Sequence, residues 1–320
     1  MLDLGPIRYA TTSDGLNIAY KQWGGGPRDI VLVPGTMWHS ELTFELAPFR
    51  RFAERLGALG RVISLDKRGT GLSDRYLGAG SLDDRILDIT AVMDDAGIEH
   101  ATILGLSEGG SMGALFAASM PSRTDSLILL LSLLYGPLCA NNPKPEAGRQ
   151  FAEKNLALLG ETWGTGTALF AWLDGPGTPP DREWLRRLEQ YTFTPRGIVE
   201  LMGRNMEIDV RPILPLVAAP TLVVHAVGDR MVPISHGRAA AAGIPDAKLV
   251  ELDIHYHGSW APEGFDPHVD AIEEWLTGRP PAPPPRLERV LATVLFTDIV
   301  DSTVLATQLG DRRWTETLDP

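Results

Sequence analysis

Two hydrophobic periods alternate along this chain, one of about two residues and one of about three and a half. Ile7 and Tyr9, then Leu16, Ile18 and Tyr20, occupy alternate positions on either side of the turn signal Ser13-Asp14-Gly15, which predicts a β-hairpin over 7–23 at a sheet edge. Ile30 to Val33 is an all-apolar run closed by Pro34-Gly35, the form of a strand buried on both faces. Phe49, Phe52, Leu56 and Leu59 then fall at helical spacing, followed by a strand from Val62 to Leu65. Ser81, three residues before Asp84, predicts a capped start to a helix carrying Ile86, Ile89, Met93 and Ala96, which Gly97 ends.

The same pairing of strand and helix continues. Ala101 to Leu104 reads as a strand and Gly110 to Met120 as a helix, with further buried strands at Leu127 to Leu133, Thr221 to Val227 and Lys248 to Leu252. A last helix carries Val269, Ile272, Trp275 and Leu276 on one face and closes at Gly278. Strands that alternate with helices imply an α/β fold with a doubly wound, mostly parallel sheet.

The alternation breaks between about residues 135 and 206. That stretch holds Trp163, Phe170, Trp172, Trp184, Tyr191 and Phe193, with Pro and Gly clustered at 175–180, and reads as a helical insertion, a lid. Beyond Gly278, residues 279–286 contain five prolines in eight positions, which stiffens a chain toward polyproline II and reads as a linker. The expected organisation is therefore a domain over 1–278, a linker over 279–286 and a separate segment over 287–320.

Composition narrows the partners. The chain has 320 residues, 44% of them hydrophobic, and a formal net charge of −12, a balance that speaks against nucleic acid or an anionic membrane as the main partner. Cys139 is the only cysteine, so no intramolecular disulfide and no cysteine-based zinc site is expected, and a reducing, cytoplasmic setting fits. No run of 18 or more apolar residues and no leader pattern is present, so no membrane span is expected.

Gly105-Leu106-Ser107-Glu108-Gly109 lies between a predicted strand and a predicted helix. In that setting the glycines let the chain turn so sharply that the serine hydroxyl projects from the turn, which makes Ser107 a candidate nucleophile. A serine hydroxyl needs a base, and the base needs an acid to orient it. Asp229 stands where the strand Thr221 to Val227 ends, at the carboxyl edge where parallel sheets bind ligands, and His255 and His257 follow the last strand.

These residues resemble the α/β-hydrolase fold family over about residues 7–278. The marks are the elbow at Ser107, the D-x-R-G-x-G-x-S turn from Asp66 to Ser73, Gly228-Asp229-Arg230 with Val232-Pro233, and a late histidine. By position the resemblance implies Ser107 as nucleophile, Asp229 as acid and His257 as base, with His255 as the fallback. Tyr256-His257-Gly258-Ser259-Trp260 aligns with the family's D-H-x-x-W loop at the histidine and the tryptophan. His225, inside a strand, reads as a core residue, His39 as a lining residue of the pocket mouth, and His100, His236 and His268 as surface residues.

The oxyanion of an acyl-transfer intermediate requires donors. The N–H of Glu108 is one. The second is expected from Pro34-Gly35-Thr36, where the family commonly has His-Gly-x, so the N–H of Thr36 is assigned, with Met37 as alternative. The Glu108 side chain either orients substrate, bonds the lid or does neither. Met37, Trp38, Trp163, Phe170, Trp172 and Trp260 are candidate pocket residues.

Residues 289–319 resemble the opening strand and helix of a class III adenylate/guanylate cyclase domain. Asp298 matches that family's first metal-binding aspartate, and residues 299–303 its triphosphate loop. With the second metal aspartate and the base-reading residues absent, this segment cannot cyclise a nucleotide, and Asp298 is a vestigial metal position. A strand and helix of this size cannot bury a core alone, so residues 287–320 are expected to be loosely held, to lean on the first domain, or to pair with another copy of the chain as a homodimer.

The resemblance thus implies a carboxylesterase-like or lipase-like serine hydrolase that acts on small-molecule esters without cofactor or metal. The alternatives are another activity of the same fold, such as a lactonase or iminopeptidase, and a ligand-sensing module for an attached cyclase.

Overall fold

The predicted hairpin forms, with β1 (Arg8–Thr11) and β2 (Asn17–Gly24) paired antiparallel and Ala10 opposite Ile18. This computed structural model describes residues 4–75, 80–168 and 175–280, together with 304, 306–310, 313 and 314. The chain divides into two units, Met1–Pro281 and Ala282–Pro320. In the second, the described residues are helical. Residues 281–303, including Asp298, lie outside the described residues, as do Phe170 and Trp172.

The first unit is built on one eight-stranded sheet. Its further strands are β3 (Asp29–Val33), β4 (Arg61–Leu65), β5 (Ala101–Leu106), β6 (Thr124–Leu130), β7 (Thr221–Ala226) and β8 (Lys248–Leu252), in the spatial order β1-β2-β4-β3-β5-β6-β7-β8. Every neighbouring pair from β4 to β8 is parallel. All six residues of β5 are buried, as an apolar run in a central strand requires. The chain steps from β3 outward to β4 and then back across β3 to β5, so the order reverses between β3 and β5. A crevice at the carboxyl ends of the strands follows from that reversal.

Helices α1 (Ala47–Leu59), α2 (Leu82–Asp95), α3 (Gly109–Ser119), α7 (Ser235–Gly243) and α8 (Asp266–Thr277) cover the sheet. The start of α2 is the predicted capping box, with Ser81 Oγ accepting from the Asp84 N–H at 3.1 Å and the Asp84 carboxylate accepting from the Ser81 N–H at 2.8 Å. Gly278 ends α8 in the left-handed conformation, φ 68°. Three helices, α4 (Pro145–Thr162), α5 (Arg182–Thr192) and α6 (Pro195–Glu207), occupy the insertion between β6 and β7. No helix among the described residues is long and apolar enough to cross a membrane.

Two local features position the site. The Asp66 carboxylate accepts from the Ser40 N–H at 2.9 Å and Oγ at 2.7 Å and from the Leu72 N–H at 2.8 Å, which ties the end of β4 to the loop after β3. Burial pushes this carboxyl up to about 6. The strand expected over 127–133 ends instead at Leu130, because Leu131 turns at φ 49° and the Leu133 N–H reaches the Ser107 carbonyl at 3.0 Å. The chain leaves the sheet there to brace the turn that carries Ser107.

Candidate active site

β5 runs straight into Ser107, which has φ 53°, a left-handed conformation that costs a side-chain-bearing residue about 1–2 kcal/mol. Neighbouring hydrogen bonds hold it there. The Ser107 N–H donates to the Leu130 carbonyl at 2.9 Å, and its carbonyl accepts from the N–H groups of Gly110 and Leu133, each at 3.0 Å. The flanking glycines are required by contact. A Cβ on Gly109 would strike the Val33 carbonyl, and one on Gly105 would strike Gly110.

The structure brings Ser107, His257 and Asp229 together. His257 Nε2 lies 3.1 Å from Ser107 Oγ, and its Nδ1 lies 2.6 Å from Asp229 Oδ2. The other carboxylate oxygen, Oδ1, accepts from the N–H groups of Met231 and Val232 at 2.9 Å each, so the carboxylate is fixed from two sides. Burial works against ionisation of Asp229, but the hydrogen bond and charge of His257 and the Val232 amide outweigh it and hold the carboxyl below its ordinary range. A carboxylate at Nδ1 keeps the proton on that nitrogen and leaves Nε2 free to accept from a hydroxyl. His255 is not part of this arrangement, since it is exposed and its Nε2 lies 3.3 Å from Asp253.

Thr36, in the loop after β3, and Glu108, in the elbow, line the same cavity as Ser107, and their N–H groups are the donors expected from the sequence. Among the described residues neither donates to a protein acceptor. Gly35 lets the two segments approach, as a Cβ there would sit 3.1 Å from Ser107 Cβ.

The Glu108 side chain turns away from the hydroxyl into a buried cluster. Its carboxylate pairs with Lys67 Nζ and, at 2.9 Å, with Arg85, while Lys67 Nζ also donates to the carbonyls of Pro34 at 3.0 Å and Gly35 at 2.8 Å. Arg85 donates to Asn205 Oδ1 on α6 at 2.8 Å. Burial disfavours the Glu108 charge, but the two cations prevail and hold its carboxyl below the usual value. Sequence reasoning missed Lys67, Arg85 and Asn205.

A cavity of about 570 Å³ opens over Ser107 and His257, lined by Met37, Trp38 and Phe49 from one side and by Phe151, Met202 and Met206 of the insertion from the other. Trp163 and Trp260 do not line it, contrary to expectation. Trp163 is buried inside the insertion, where its Nε1 donates to the carbonyls of Glu189 at 2.9 Å and Phe193 at 3.0 Å. Trp260 packs with Leu42, Trp184 and Leu188. A helical insertion needs a core of its own, to which Trp163 belongs, whereas Trp260 packs Trp184 and Leu188 of the insertion against Leu42.

The histidines also need correction. His225 is a buried strand residue and His100 is exposed, as read, but His236 and His268 are buried rather than on the surface. His236 accepts from the Leu134 N–H at 3.2 Å and stacks on Tyr135. His268 lies four residues before Ile272, on the apolar face of α8. His39 is buried, and its Nδ1 accepts from the Glu41 N–H at 3.1 Å. Among the described residues no three His, Cys, Asp or Glu side chains gather as metal ligands.

Comparison with known proteins bears on the same region. The family described as Serine aminopeptidase, S33, matches residues 27–261. A protein of Azorhizobium caulinodans, provisionally named carbamate hydrolase RutD, is 30% identical over 248 residues, covering 70% of this chain and 83% of that one. The rhodomycin D methylesterase DauP of a Streptomyces species is 30% identical over 232 residues, covering 63% of this chain and 77% of its own. The fold is shared with the enol-lactonase of Burkholderia xenovorans LB400, with a TM-score of 0.65 at 23% identity, over 84% of this chain and 100% of that one. A match over most of the chain, on a fold whose strand order puts a serine elbow at the crevice, makes this protein a hydrolase of the α/β-hydrolase fold, in the family described as Serine aminopeptidase, S33.

Proposed function

We propose that the protein is a carboxylesterase-like serine hydrolase that cleaves esters with an apolar acyl group through an acyl-enzyme on Ser107. The observation that carries this reading is the line from Asp229 through His257 to Ser107, at 2.6 and 3.1 Å, in a cavity that Thr36 and Glu108 also line, whose N–H groups have no protein acceptor among the described residues. Ser107 Oγ bonds to the ester carbonyl carbon while His257 Nε2 takes its proton, and the carbonyl electron pair moves onto oxygen, held by the Thr36 and Glu108 N–H groups. Collapse breaks the bond to the alcohol oxygen, which leaves with the proton from His257. Water then repeats the sequence on the acyl-enzyme and releases the acid. The reaction needs no cofactor.

The cavity argues for an ester and against an aminopeptidase substrate. An aminopeptidase must hold the α-ammonium group of its substrate against a carboxylate. Among the described residues lining the cavity, the only carboxylate is that of Glu108, which is buried and paired with two cations. Methionine and aromatic walls suit an apolar acyl chain, and the methionines let the pocket adapt to its shape. In this reading α4 and α6 act as a lid, since Phe151, Met202 and Met206 form the far wall. The reading is argued from residues of the first unit alone.

Labelling with a fluorophosphonate, followed by p-nitrophenyl esters of graded acyl length on wild type and Ser107→Ala, tests the proposal. One covalent adduct at Ser107 and loss of turnover in the variant are expected, with amino-acid p-nitroanilides left intact. Wild-type turnover by Ser107→Ala would overturn it.

A further inference from the structure

Three ionic side chains lie buried directly beneath the elbow, and the mechanism above uses none of them. Lys67, Glu108 and Arg85 have side-chain exposures of 3%, 2% and 3%. Buried ion clusters are weak sources of stability, because desolvation offsets most of the attraction and apolar packing does as well. Their placement suits another task. Lys67 Nζ holds the carbonyls of Pro34 and Gly35, in the loop that carries the Thr36 N–H.

We infer that Lys67 is a positioning residue that sets the Gly35–Thr36 peptide so that the Thr36 N–H faces the reacting carbonyl oxygen, an inference that rests on the serine hydrolase reading. A trans peptide is planar, and its C=O and N–H point in opposite directions. Lys67 Nζ grips the Gly35 carbonyl at 2.8 Å on the buried side, so the N–H of the same peptide unit is turned toward the cavity that Thr36 lines. The two other partners complete the device. Glu108, whose own N–H is the second donor, holds Lys67 in place through its carboxylate, so one side-chain pair links both donors. Arg85 against Glu108 leaves the trio with one positive charge in excess below the developing oxyanion.

Asn205 extends the arrangement to the insertion. Its Oδ1 accepts from Arg85 at 2.8 Å and its Nδ2 donates to Thr36 Oγ1 at 3.4 Å, so α6 is tied to the donor loop by the residue that also lines the cavity. Asn205 thus links α6 both to the buried cluster and to the side chain of the residue that carries the donor N–H.

Lys67→Met is the informative variant, because it leaves Glu108 and Arg85 as a balanced pair. Its kcat for a p-nitrophenyl ester is expected to fall about 10- to 100-fold with KM changed less than threefold, since a donor is misaimed and not removed. Affinity for an aryl boronic acid, whose adduct on a serine is tetrahedral and anionic, should fall by a similar factor. A merely structural role would lower Tm and leave both quantities near wild type in the folded fraction, and that result overturns the inference. Should Lys67→Met not fold, Asn205→Ala decides, with a drop in kcat of at least fivefold matched by weaker boronate binding in support, and wild-type values against. Ser107→Ala separates the two ideas. An active Ser107→Ala sinks the underlying reading, whereas an inactive one beside a wild-type-like Lys67→Met sinks only this inference.

Discussion

Nδ1 of His257 stands 2.6 Å from Oδ2 of Asp229, while Oδ1 of the same carboxylate takes the N–H groups of Met231 and Val232. This division of labour decides what Asp229→Asn does. The amide oxygen of asparagine must stay with the two N–H donors, so its NH2 faces His257 and forces Nδ1 to accept. The proton then sits on Nε2, where it blocks acceptance from Ser107. A loss of about 10⁴ in kcat is expected with little change in Tm, measured by ester turnover and thermal melting. Retention of more than a tenth of the activity would refute the role given to Asp229.

The two late histidines make a paired test. His257→Ala removes the imidazole in contact with Ser107 Oγ and should abolish fluorophosphonate labelling. His255→Ala removes an exposed ring beside Asp253 and should leave turnover within about twofold of wild type, as surface substitutions usually do. Reversed effects would transfer the base to His255.

Glycine substitutions separate contact from conformation. Gly109→Ala drives a methyl into the Val33 carbonyl beneath the elbow, where backbone on both sides cannot yield, and no folded protein is expected. Gly97→Ala also faces a barrier, since φ is 65°, but nothing lies within 4 Å of its Cβ. It should lose about 1–2 kcal/mol and keep full activity, read by thermal melts and ester turnover.

Much of this site was legible from residue order. The strand–turn–helix around Ser107, the aspartate closing β7 and the histidine beyond β8 are local patterns, and the sheet converts local position into shared location at its carboxyl edge. The misread residues depend on which way a side chain faces after packing. Trp163 and Phe151 are both aromatic residues of the insertion, yet one became its core and the other a cavity wall. Periodicity could have placed His268, which shares the face of Ile272. It could not have found Asn205, whose partners Arg85 and Thr36 lie 120 and 169 positions away along the chain.

His268 gives the pH test. Both ring nitrogens are buried without a partner among the described residues, and burial lowers its pKa to about 4 from an ordinary 6.5. Between those values the unfolded chain binds a proton that the folded chain refuses, so this group makes stability rise with pH from about 4 to 6.5 and adds no slope above. Asp66 and Asp88, both pushed up to about 6 by burial, slope the opposite way between about 4 and 6, and His236 slopes with His268. Those groups are common to wild type and to His268→Leu, so they cancel in the difference. The variant should therefore gain on wild type as the pH falls, by roughly 2 to 3 kcal/mol between pH 7.5 and 4.5, or about 5 °C in Tm for a domain of this size. Melting curves of both proteins at the two pH values measure it, and a Tm difference that stays constant would show that His268 titrates alike in the folded and unfolded chain.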